Sequence, residues 1–299
     1  MKSIDNVTAS KRETLRAESA GWWWAALGVL CFSFTLPATR IAVPEFGGYM
    51  VGFGRAVIAG LLALILLLIR RERLPERRHW RGLGLVALGV VFGFPVFTSL
   101  ALQTVPSSHG AVVVGLLPAA TAIAAVLLTR ERPRPMFWLV SALGVGAVVV
   151  FAVTTGAGHV ETGDVFLLLA VLLAALGYAE GGRLARELDG WRVVSWALVL
   201  SLPAALLTVW FVPWPTQLPS ATAWWAFGYV SVVSMFLGFF AWYRGLAFGG
   251  VAQAGQVQLV QPVLTVVWSA LLLSETLDSR TLWAALLVVG CAVLSRLTR

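Results

Sequence analysis

Charge is what this 299-residue chain has least of. Only 12% of its residues are Asp, Glu, Lys or Arg, while 59% are hydrophobic and the mean hydropathy is +0.85. A soluble domain carries about 25% charged residues. Soluble enzymes, nucleic-acid binders and disordered chains are therefore excluded, and a polytopic membrane protein remains. Cysteine is also scarce. Cys31 and Cys291 both lie deep in apolar runs, where a thiol is a small packing residue rather than half of a disulfide. No GxxxxGK[ST], HExxH or GxSxG pattern occurs, and no His/Cys cluster, so no ATP motor, metal centre or cofactor is called for. Alternating polar positions are missing from the apolar stretches, which removes a β-barrel.

Long uncharged runs are what the chain does have. No Lys, Arg, Asp or Glu occurs from 82 to 129, nor from 193 to 243. A spanning helix needs roughly 20 apolar residues, so each run holds two. Pro106 breaks the first and the prolines around 213–220 break the second, since backbone beside proline leaves the helix. The sequence predicts an all-α protein of ten transmembrane helices, near 22–43, 47–69, 80–102, 107–128, 135–153, 163–183, 192–212, 221–246, 251–273 and 280–297. Counts of nine or eleven compete, because the turns at 103–106 and 247–250 are short. The polar first twenty residues are no signal peptide, so the N-terminus is expected to stay cytoplasmic.

The basic residues orient the chain. With the N-terminus inside, all of the 22 Lys and Arg except Arg40, Arg55 and Arg280 fall at cytoplasmic segments. The loops 154–163 and 213–220, then external, have neither Lys nor Arg. This is the bias that sets topology in membrane proteins, and it explains the net charge of +8 without a nucleic-acid partner.

A repeat runs through the chain at a fixed offset of 144. It pairs Pro118 with Pro262, Thr121 with Thr265, Glu131 with Glu275, Gly146 with Gly290 and Leu127-Leu128 with Leu271-Leu272. The unit is five helices, so a first repeat of 22–153 follows the cytoplasmic segment 1–21, and a second of 163–299 follows it. Five is odd, so the second copy enters the membrane from the opposite side. Two inverted repeats are the architecture of secondary transporters, with the site at their interface. The duplicated proline in the fourth helix of each half, followed by a Glu at its end, resembles the EamA-type group of the drug/metabolite transporter superfamily. Within it, the chain is similar to the YddG-like exporters of aromatic and other amino acids. That resemblance implies an efflux carrier of a bacterial inner membrane.

Several residues are candidates for a substrate cavity. Gln258, Gln261, Thr265 and Ser269 share one stripe of the ninth helix. In lipid their polar groups would lack partners, so they face protein or water. They form either an interhelical network or the neutral wall of a cavity. The matching face of the fourth helix carries Val114, Leu117, Thr121 and Ala125. Such a cavity, polar on one wall and apolar on the other, suits a zwitterion with an apolar side chain. Pro118 and Pro262, near the midpoints of their helices, are candidate hinges freeing the carbonyls of Val114 and Gln258; a static bend is the other reading. Ser33, Ser231 and Ser234 lie at helical spacings that serve either packing or the cavity. Trp242 and Tyr243 belong to an interfacial aromatic belt or to the cavity, and Tyr178 lies deeper than the belt. Arg55 sits ~12 Å inside the second helix. Its partner is Glu45, Glu161 or a substrate carboxylate, unless it snorkels to the surface. Glu180 is expected to pair locally with Arg183. His109 is read as a solvated residue of the outer face, and Glu131 and Glu275 as structural marks of the repeat.

No Asp or Glu falls near the middle of a predicted span, so an obvious coupling carboxylate is missing. The sequence thus predicts a secondary exporter of small amphipathic metabolites, amino acids first among them, with a multidrug carrier as the alternative. The expected partners are a small-molecule substrate and the bilayer, with a monomer as the working expectation. The topology is checked by cysteine labelling in intact cells. Cysteines at Gly158 and Gln217 should label from outside, and one at Arg77 should not.

Overall fold

The computed structural model describes residues 20–129, 135–155, 160–276 and 278–297. Glu131, residues 156–159 and the basic residues of 1–19 and 130–134 lie outside these. Every regular element among the described residues is helical. Seven helices are long and apolar enough to cross a membrane: α1 (Ala20–Phe46), α2 (Gly48–Ile69), α3 (Arg77–Ala101), α4 (Ser107–Leu128), α6 (Thr162–Leu188), α7 (Gly190–Phe211) and α8 (Ala221–Phe248). Three shorter apolar helices complete ten: α5 (Pro135–Thr155), α9 (Gln261–Leu273) and α10 (Ser279–Leu297). The chain is an all-α polytopic membrane protein of two five-helix halves.

One boundary differs from the expectation. Helical backbone runs unbroken over Gly238–Gln258, straight through the turn predicted at 247–250. The signal misread there is Gly249-Gly250. Glycine costs a helix interior about 1 kcal/mol, a penalty small enough that a glycine pair need not end a helix.

The halves meet reciprocally. Equivalent helices pack on each other: α2 on α7, α5 on α10, and the first half of α4 on α9. Cross pairs also come in twos. As α3 packs on α6, so α8 packs on α1; as α4 packs on α6, so α9 packs on α1. A surface that contacts its own copy in this exchanged fashion is what a two-fold axis between repeats produces.

In lipid the helices gain little from apolar burial, so close packing of small residues holds them. The α3–α6 seam shows this. A Cβ on Gly89 would lie 2.2 Å from the Leu173 carbonyl oxygen, and one on Gly177 would lie 2.6 Å from Val90 Cγ2. The α1–α8 seam is similar: a Cβ on Gly245 would meet Ala25 N at 2.6 Å. Ion pairs fasten the ends. Arg183 holds Glu180 at 2.6 Å, His79 meets Glu187 at 3.0 Å, and Arg192 reaches Glu72 at 3.1 Å. Gly89→Ala should therefore destabilise the protein by about 1–3 kcal/mol, since a backbone carbonyl cannot yield. Gly84, with nothing within 4 Å of its added Cβ, is the control. Thermal melts in detergent should separate the two variants.

Candidate substrate-binding centre

Four helices lose regularity where they meet, in two repeat-related pairs. In α4 the helix stops at Val114 and restarts at Leu117, with Gly115 and Leu116 in a turn between. The offset of 144 carries this onto Gln258, the turn at Leu259 and Val260, and the restart at Gln261. Pro118 and Pro262 thus occupy the second residue of a new helix. They do not kink a continuous one, as the sequence led us to expect. First-turn amides have no helical partner in any case, so proline costs nothing there and makes the restart favourable. The interruption falls two to three residues before each proline. The second pair comprises α3 and α8, wound as π-helix over Ala87–Gly93 and Tyr229–Leu237. The same offset superposes Ala87–Gly93 on 231–237. Such stretches are rare and concentrate at functional sites.

The π-helical stretches of α3 and α8 and the start of α9 border a small void of ≈20 Å3, enough for about one water molecule. Arg55, Tyr178, Ser234 and Gln261 line it, together with Thr35 and the rings of Phe32, Phe94 and Phe239. Arg55 is only 2% exposed, so it does not snorkel. Nor does it pair as expected. Glu45 caps the start of α8, accepting from the N–H and hydroxyl of Ser220. Glu161 forms a capping box with Asp164 at the start of α6. The Nε and Nη1 of Arg55 have no hydrogen-bond partner. Glu161 caps the helix that it precedes and Glu45 a helix start 175 residues away, and for both, bonding N–H groups at the rim outcompeted reaching ~12 Å inward.

The polar stripe divides in two. Thr265 donates to the carbonyls of Ser33 and Gln261, each at 2.9 Å, and Ser269 donates to Ser107 Oγ at 2.9 Å. Those two are network residues. The Nε2 of Gln258 and the Oε1 of Gln261 are buried with no partner. The remaining candidates are placed as follows. Ser234 Oγ meets Thr35 Oγ1 at 2.8 Å across the void, joining α8 to α1. Ser33 donates to Leu30 O and accepts from Trp268 Nε1, outside the void. Thr121 and Ser231 bond to carbonyls of their own helices, those of Leu117 and Phe227. Trp242 and Tyr243 are 1% and 0% exposed, so the belt reading does not hold for either. The Trp242 ring lies 5.6 Å from Tyr178 and 6.1 Å from Phe32, backing the aromatic wall of the void.

At the end of the molecule where α4 begins, two residues act differently from expectation. His109 is buried, with Nε2 2.6 Å from Asp164 Oδ1, and fixes the start of α4 to the start of α6. Glu275 caps the other repeat: the N–H groups of Ser107 and Ser108 each donate to its carboxylate at 2.8 Å. A carboxylate at a helix N-terminus meets both orphan donors and the positive end of the dipole. The signal for this was present. A Glu just past one helix and a serine pair at the start of another lie at the same membrane face when the repeats are inverted.

Apolar helices in two inverted five-helix halves, with a buried polar centre, are an architecture of membrane transporters. The chain belongs to the EamA-like transporter family, whose model matches it twice, over residues 19–153 and 161–297. It is 46% identical over 277 residues to a Bacillus subtilis (strain 168) protein named uncharacterized transporter YdeK, covering 92% of this chain and 96% of that one. It is 26% identical over 255 residues to the uncharacterized inner membrane transporter YedA of Escherichia coli (strain K12), covering 85% and 83%. A solved crystal structure shares the fold, with a TM-score of 0.65 at 20% identity over 94% of this chain and 97% of that one.

The Glu275 cap is testable by stability. Glu275→Ala leaves two helix N–H groups without their acceptor, and should lower stability by about 1–2 kcal/mol. Melting in detergent checks this, with Thr276→Ala, an exposed residue of the same connection, as the control.

Proposed function

We propose that this protein is a secondary carrier that exports small amphipathic metabolites across a bacterial inner membrane by alternating access, both termini on the cytoplasmic side. Amino acids, aromatic ones included, are the leading substrate class. The observation that carries this reading is the set of buried, unpartnered polar atoms at the centre: Arg55 Nε and Nη1, Gln258 Nε2 and Gln261 Oε1. Each costs free energy in a bilayer interior unless something pairs with it. A structural network would have satisfied them, as it satisfied Thr265 and Ser269. A centre that binds and releases a polar solute has reason to leave them open.

The void is far smaller than an amino acid, so the centre has to widen to take one. Expansion is provided for by the surrounding backbone. The breaks at 115–116 and 259–260, with Pro118 and Pro262 just beyond, are the hinges of this reading, and the π-helical stretches are its adjustable walls. The family also includes carriers of the multidrug type in the alternative reading. An organic cation would call for an acidic residue, and no Asp or Glu lines the void.

The test is efflux from reconstituted vesicles over a panel of amino acids, with and without a pH gradient. Gln258→Leu or Gln261→Leu should slow export about tenfold per inserted molecule, equivalent to about 1.4 kcal/mol. Trp23→Leu, on the exposed face of α1, should not. Loss of insertion in place of transport would make the glutamines packing residues.

A further inference from the structure

The most costly group in the molecule is the Arg55 guanidinium. Among the described residues, the acidic side chains that could have neutralised it are occupied elsewhere. Glu45 and Glu161 cap helix starts, and Asp164 holds His109. Glu180, Glu187 and Glu72 pair with Arg183, His79 and Arg192 at the other end of the bundle. Glu275 caps α4. A charge at membrane depth without a partner is rare, and marks a pathway or site far more often than a scaffold.

From these positions we infer that Arg55 is the residue that recognises substrate, and that the substrate class is the free carboxylates, α-amino acids with an apolar or aromatic side chain foremost. The inference rests on the transport reading above and deepens it. A guanidinium presents parallel N–H donors at the spacing of a carboxylate's two oxygens, so the pair forms two short charge-assisted bonds. A guanidinium offers that fork on two edges, Nε with Nη2 and Nη1 with Nη2, and in Arg55 one donor of each edge, Nε and Nη1, is buried without a partner. Gln261 lines the same void, with its side-chain oxygen also unpartnered, and offers an ammonium its acceptor. Phe32, Phe239 and Tyr178 pack ring against ring on one side, with centroids 4.7 Å and 5.9 Å apart, and give an apolar side chain its wall. The carboxylate thus meets α2, the ammonium α9, and the side chain α1, α6 and α8. To admit it, the Ser234–Thr35 contact across the void has to part. An amine lacking the carboxylate would bring a second cation against Arg55 and gain nothing.

Three ligands of one shape separate the possibilities: L-phenylalanine, 3-phenylpropanoate and phenethylamine. Each is titrated against the full-length protein in detergent while Tm is followed, and L-phenylalanine counterflow is measured in vesicles. Wild type should gain Tm with both carboxylates and not with the amine. Arg55→Leu removes an unpaired buried charge, so the ligand-free variant should melt higher than wild type, whereas a scaffold arginine would make it melt lower. Its half-saturating carboxylate concentration should rise at least tenfold. Arg55→Lys keeps the charge without the fork, and should lose less. Stabilisation by phenethylamine equal to that by phenylalanine, an unchanged titration in Arg55→Leu, or no response to either carboxylate would overturn the assignment. A response to 3-phenylpropanoate alone would keep Arg55 as the carboxylate site and remove amino acids as the class. Carboxylate binding without counterflow would keep it too, and sink the transport reading.

Discussion

A peptide group in the hydrocarbon of a bilayer has nothing to bond to but its own protein. That single constraint makes every spanning element here a helix, and makes each departure from the helix conspicuous. The departures are not scattered. The breaks at 115–116 and 259–260 are repeat partners, and the π-helical turns over Ala87–Gly93 and Tyr229–Leu237, with the restart at Gln261, border one buried void. Irregular backbone survives at that depth only where surrounding helices shield it from lipid. The tight glycine seams between α3 and α6 and between α1 and α8 supply that shielding, so the packing of the rim and the freedom of the centre are two sides of one arrangement.

Much of this was legible in the sequence. Uncharged runs and punctuating prolines located the helices, and the 144-residue offset joined Pro118 to Pro262 and implied inversion. Proline chemistry pointed to the middle of α4 and to the start of α9, though not to the residues where the helices stop. Proline marks where a helix can begin again, and the gap before it is set by tertiary packing. The π-helical stretches left no signal, since their residues are ordinary for a membrane helix. The depth of Arg55 was readable, but burial against snorkelling and the lack of a partner were not, because they depend on where seven distant carboxylates end up. His109 was misread for the same reason: Asp164 lies on another helix, and only the inverted stacking of the halves brings the two together.

The two halves are symmetrical in backbone and unequal in chemistry. Val114 and Leu117 stand where Gln258 and Gln261 stand in the second copy, and α7 has no charge from Val193 onward to match Arg55 in α2. Duplication gives a carrier two equivalent ways to move. Divergence then leaves Arg55 and the two glutamines without counterparts in the other half, an asymmetry that a site for an unsymmetrical molecule requires. Thr121 and Thr265 show the intermediate case: the residue is retained, one bonded within its own helix and the other also bridging to Ser33.

The Glu275 cap carries a kinetic implication. It ties the end of α9 to the start of α4, and so joins the two repeats through a pair of charge-assisted bonds at one face of the membrane. Parting these helices has to return a carboxylate and two amides to water before any solute leaves. If that exchange costs the ~1–2 kcal/mol of the cap, opening slows by roughly 5- to 30-fold. The rate of turnover would then be governed by a clasp at the rim, well away from the solute it releases. Different solutes would share one maximal rate and differ mainly in the concentration needed to reach half of it.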